Sequence, residues 1–128
     1  MPFAFPSLIR HALGAIAVLG LGLAAAEAGE ADVVAAKVHK FGPGVYRFDV
    51  TVRHADTGWQ HYVDRWQVIG ADGAVLGERV LLHPHVGEQP FTRSARIKVA
   101  AGVARVRVRA HDSVHSFGGR EVEVDLPQ

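Results

Sequence analysis

The sequence predicts an all-β fold: an immunoglobulin-like two-sheet sandwich of about seven strands, preceded by an N-terminal signal peptide. From Val33 onward, apolar residues recur with period two in short runs. Turn-forming Gly, Pro and Asp residues separate these runs. About seven such runs fit the roughly 100 residues that follow the leader, which is the strand density of a sandwich. Strand count does not fix closure, so an open barrel is the alternative.

The first strand is expected over Asp32 to His39, continuing toward Lys40, before Gly42-Pro43-Gly44 interrupts the chain. Val45 to His54 follows, with Tyr46, Phe48, Val50 and Val52 alternating against Arg47, Asp49, Thr51 and Arg53. Ala55 to Gly58 reads as a turn and Trp59 to Ile69 as a strand. Gly70-Ala71-Asp72-Gly73 then opens a hairpin into Val75 to Leu82. His83 to Pro90 is expected to be loop, because two prolines would delete ladder donors from an interior strand. Phe91 to Val99 and Val103 to Ala110 are strands separated by Ala101-Gly102. His111 to Gly119 reads as a second polar loop, and Arg120 to Leu126 closes the chain. Pairing of the last two strands would set Arg105, Arg107 and Arg109 against Glu121, Glu123 and Asp125 on a solvated face.

Residues 1–28 read as the signal peptide, and residues 29–128 as a single sandwich domain. Arg10 precedes an uncharged run from Ala12 to Ala26, and the small residues Ala24 to Ala26 and Ala28 place cleavage after residue 26 or 28. The run is shorter than the roughly 20 residues that span a bilayer and lacks a positive stop-transfer flank, so no transmembrane anchor is expected after processing. A periplasmic or secreted location follows.

Lys and Arg total 14 against 13 Asp and Glu, a balance that gives no electrostatic reason to expect nucleic acid. The chain has no cysteine, which excludes disulfides, thiolate catalysis, iron–sulfur ligation and Cys-based zinc or blue-copper sites. Chemistry therefore falls to the eight histidines.

Three polar segments concentrate them. In His54-Ala55-Asp56-Thr57-Gly58-Trp59-Gln60-His61-Tyr62-Val63-Asp64-Arg65-Trp66, a turn could bring His54 and His61 to one rim, with Asp56 and Thr57 stabilising the turn and Trp59, Tyr62 and Trp66 divided between core and rim. In His83-Pro84-His85-Val86-Gly87-Glu88, an extended backbone would project both imidazoles to one side, and Glu88 could ligate or orient them. In His111-Asp112-Ser113-Val114-His115, a helical turn would put both histidines on one face with Asp112 between. Neutral imidazole suits copper(II), zinc or nickel, and copper or zinc is the expected cofactor. The metal candidates are thus His83, His85, His111, His115, His54 and His61, with Asp56, Glu88 and Asp112 as supporting or ligating carboxylates. Each segment also reads as an ordinary polar loop; two sites, one site or none are allowed, and at least three of these histidines within ligand reach would favour metal, whereas dispersed histidines would favour an interaction module.

Catalysis is the weaker expectation. Ser113 lacks a Gly-x-Ser-x-Gly elbow, and His-Glu-x-x-His is absent, so a copper or zinc binding protein ranks above a metalloenzyme. The alternative is a metal-free periplasmic module for a protein partner or small ligand, using Arg93, Arg96, the Arg105/Arg107/Arg109 row, Trp59 and Tyr62 as recognition surfaces.

The run His83-Pro84-His85, Glu88-Gln89-Pro90-Phe91-Thr92-Arg93-Ser94, together with His111-Asp112-Ser113-Val114-His115 and Gly118-Gly119, resembles an uncharacterised family of small exported bacterial proteins over roughly His54 to Leu126. The resemblance implies the immunoglobulin-like fold and carries no substrate or catalytic role.

Overall fold

Strict alternation between residues 45 and 53 builds the middle of the first sheet, because every second side chain of a strand shares a face. In a computed structural model that describes residues 29–128, Tyr46, Phe48, Val50 and Val52 are all buried. The expected signal peptide lies outside the described residues.

Seven strands form: β1 (Asp32–Gly42), β2 (Val45–Arg53), β3 (Val63–Ile69), β4 (Val75–Val80), β5 (Phe91–Lys98), β6 (Arg105–Asp112) and β7 (Val122–Asp125). They pair antiparallel as a three-stranded sheet in the order β1-β2-β5 and a four-stranded sheet in the order β4-β3-β6-β7. The two sheets make a sandwich whose buried centre includes Trp66, Phe48, Phe91, Val68, Val106 and Val108. Gly77 lets the β4 edge approach β5 closely, since a Cβ there would stand 2.7 Å from Ile97 Cγ2. Among the described residues there is no helix, and so none long and apolar enough to cross a membrane.

Some boundaries differ from the sequence reading. Residues 59–62 do not extend β3: Thr57 N–H donates to the His61 carbonyl and His61 N–H to the Gly58 carbonyl, at 3.0 and 3.1 Å, which folds them into a tight turn. His111 and Asp112 belong to β6, because Asp112 pairs with Val63 and His111 with Arg65 across the sheet. No helical turn therefore brings His111 and His115 to one face; they lie on a strand and on the turn beyond it.

The arginine row meets its acids in part. Arg105 contacts Asp125 and Glu123 at 2.8 and 3.3 Å, and Arg107 contacts Glu121 at 2.5 Å. Arg109 instead donates twice to Gln67 Oε1 and lies over the Phe117 ring, 3.8 Å from its centroid.

Register settles where the polar segments go. Arg53 at the end of β2 pairs with Asp32, Phe91 at the start of β5 pairs with Val52, Val80 at the end of β4 pairs with Arg65, and Asp112 pairs with Val63. The connections 54–62, 81–90 and 113–121 consequently leave the same end of the sandwich. Gly119 seals that end, its α-carbon pressed so close to the Ala31 carbonyl that no side chain would fit.

Candidate metal centre

Two apolar rows of the core end in polar residues. The inward row of β2, Tyr46-Phe48-Val50-Val52, continues one step beyond the strand to His54, and the inward row of β6, Val106-Val108-Ala110, ends in Asp112. Their side chains are 2% and 0% exposed. A buried ionisable group away from water requires partners, and here the two meet each other.

His54 Nε2 lies 3.2 Å from Asp112 Oδ2 and 3.2 Å from His61 Nε2, while His61 Nε2 lies 3.5 Å from Asp112 Oδ2. The turn at 57–61 swings His61 back to complete this triangle. Ligand atoms about 2.0–2.1 Å from a tetrahedral ion stand about 3.3 Å apart, so the three edges match one face of such a site. Among the described residues, His54, His61 and Asp112 are the group of ligand atoms close enough together to hold an ion.

Carboxylates fix the orientation of each donor. Asp56 Oδ1 lies 2.5 Å from His54 Nδ1 and also accepts the Val63 N–H, while Asp56 Oδ2 accepts the His85 N–H at 2.8 Å. An ionised carboxylate only accepts, so His54 carries a proton on Nδ1, and Nε2 is the ring nitrogen that faces the triangle. Asp112 divides its oxygens. Oδ1 accepts the N–H groups of Val114 and His115, at 2.8 and 2.5 Å, leaving Oδ2 to the imidazoles of His54, His61 and His115.

Electrostatics follow from this packing. Burial is the largest influence on His54 and pushes its pKa down, but the hydrogen bond and charge of Asp56, with the charge of Asp112, outweigh it and leave the pKa raised. Burial likewise pushes Asp56 up; donation from His54, His85 and Val63 overcomes it, and the carboxyl sits below its ordinary value. Asp112 is lowered too, burial being offset by the His115 and Val114 N–H groups, the His115 ring and the charge of His54.

Of the other candidates, Asp56 backs His54 and His115 Nδ1 lies 3.2 Å from Asp112 Oδ2, while His111, His85, His83 and Glu88 stand apart from the triangle. His111 points to the outer face of β6, where Nδ1 contacts Asp64 Oδ1 at 2.6 Å and the ring meets Phe117 edge-on. His85 is buried, stacked on Phe91 with centroids 3.9 Å apart, and its Nδ1 has no hydrogen-bond partner. Burial, then the charges of Arg93 and His83, lower its pKa. His83 lies beside it, centroids 4.8 Å apart, with Nδ1 turned to the Pro84 carbonyl. Glu88 is engaged by Arg93 through both carboxylate oxygens, at 3.0 and 3.2 Å. Trp59 is exposed and packs edge-on against Tyr62. The sequence alone offered no means of ranking these residues; what separates them in the fold is inward parity, which His54 and Asp112 share and His111 does not.

A protein of Halomicrobium mukohataei described as "Putative lipoprotein" is similar to this chain, 44% identical over 96 residues, covering 75% of this chain and 47% of that protein. The chain thus spans about half the length of the curated relative it matches. No family model and no solved structure matches.

Proposed function

We propose that this is an exported protein that binds one divalent transition-metal ion, zinc or copper(II), through His54 Nε2, His61 Nε2 and Asp112 Oδ2. The observation that carries the reading is the triangle of 3.2, 3.2 and 3.5 Å edges, with Nδ1 of its deepest imidazole occupied by Asp56 so that Nε2 faces the other two donors. Two imidazoles and a carboxylate suit zinc or copper(II), and a carboxylate behind the histidine is the usual outer support of such a ligand. Export is supported by the charged and apolar pattern of the first 26 residues and by the description of the similar protein.

The test is metal stoichiometry. Untagged protein is stripped, reconstituted separately with zinc and copper(II), desalted and measured by elemental analysis. The reading expects a ratio near one for wild type and near zero for His54→Ala. No retained metal in folded protein would overturn it.

A second reading has its own support: Trp59, Leu82, Val86 and Val114, on the three connections at this end, are exposed. Large apolar side chains at one end favour a metal-free surface for a periplasmic protein partner, with His54 held as an imidazolium between Asp56 and Asp112. Retention of metal by wild type and its loss in His54→Ala would decide against it.

A further inference from the structure

The three proposed ligands occupy only one face of a tetrahedron, and side-chain exposure rises across the group from 2% at His54 and 0% at Asp112 to 18% at His61. The open vertex lies on this exposed side. His115 stands there, its ring 35% exposed, with Nδ1 3.2 Å from Asp112 Oδ2 and its centroid 4.9 Å from that of His61. It already satisfies one tetrahedral edge while remaining outside the group formed by the other three.

Its backbone is anchored to a ligand. Asp112 and Ser116 exchange two N–H to carbonyl bonds, both 3.1 Å, and Asp112 Oδ1 holds the His115 N–H, so the turn is fixed relative to the site. The ring is the freer part, about a third exposed and tied to Asp112 Oδ2 by one contact. An ion that takes Oδ2 replaces that contact and leaves the imidazole to bind it.

Resting on the proposed metal reading, we propose that His115 swings in as the fourth ligand, closing a tetrahedral centre of three imidazoles and one carboxylate. Such a set favours zinc over copper(II), which prefers tetragonal geometry. Closed four-ligand zinc sites hold their ion, whereas catalytic ones keep a position for water. The centre would therefore retain zinc and activate no bound water for hydrolysis.

The test uses cobalt(II) as a visible stand-in for zinc in the full 128-residue chain. Wild type is expected to show the intense visible bands of tetrahedral cobalt. His115→Ala should bind roughly 10–100-fold more weakly and show the weak bands of a five- or six-coordinate ion. Free imidazole should restore the intense bands, and an unchanged denaturation midpoint of the metal-free variant excludes misfolding as the cause. Wild-type bands and affinity in His115→Ala would overturn the fourth ligand while leaving the three-ligand site intact. Absence of cobalt and zinc binding by wild type would overturn both.

Discussion

Asp56 Oδ1 sits 2.5 Å from His54 Nδ1, both side chains shut away from solvent, and this contact determines which nitrogen of His54 is free to ligate. The same carboxylate accepts the N–H of Val63 at the start of β3 and of His85 in the 81–90 connection. One residue thus joins three segments of the chain at the site. Asp56→Ala leaves the charge preference of His54 uncompensated and two buried N–H groups unpaired. A loss of about 3–5 kcal/mol is expected, the range for breaking a buried pair, read from urea denaturation of the metal-free protein. A loss within the range of an ordinary surface change would show that the contact is not structural.

Asp112 separates folding from binding. In Asp112→Asn the side-chain oxygen can still accept the Val114 and His115 N–H groups, so the 113–116 turn should persist, while the charged ligand atom is gone. Zinc binding is expected to fall by at least 10-fold, while the metal-free form loses less thermal stability than in Asp112→Ala because the turn contacts are kept. Asp112→Ala should lose both. Calorimetric titration and thermal denaturation of the two variants distinguish these outcomes.

The pH dependence has opposite signs with and without metal. His54 has its pKa raised above the ordinary 6.5, so its contribution to the metal-free fold is complete below that pH and is lost as pH rises through the folded value. Asp56 and Asp112 are lowered below 3.8, so their contribution is present above that pH and is lost as pH falls through their folded values. The metal-free protein should therefore be most stable between these limits. Zinc needs neutral imidazole and competes with the His54 proton, so the rise in thermal midpoint on adding zinc should grow from about pH 6 to about pH 8. A zinc effect that shrinks over that interval would contradict ligation by His54.

Packing between the sheets makes a prediction independent of the site. Gly77→Val places a branched side chain where a Cβ alone would be 2.7 Å from Ile97 Cγ2. Overpacking should cost about 1–3 kcal/mol, and trimming the partner in Gly77→Val/Ile97→Ala should recover part of it. Additive losses in the double variant would place the strain elsewhere.

Much of the sandwich was legible because the β2 and β6 rows alternate without interruption and carry their parity directly into the core. β1 was less so: its register shifts between Val33 and Ala35, moving Ala36 and Val38 onto the inward face in place of Ala35 and Lys37. At the site, His54 and Asp112 could have been read as inward positions by extending those same alternations. His61 could not, since its place depends on the backbone bonds of the 57–61 turn, and the side occupied by His83 and His85 depends on the β3–β4 register. Asp56 looked like a turn residue from its neighbours Thr57 and Gly58. Its link to His85, 29 residues away, exists only in the folded chain.

The most direct measurement is a crystal structure of the zinc-soaked protein with anomalous data collected at the zinc edge. The account predicts one strong peak about 2.0–2.1 Å from His54 Nε2, His61 Nε2 and Asp112 Oδ2. A peak at His83 and His85 or at His111 and Asp64 with the triangle empty, or no peak at saturating zinc, would contradict it.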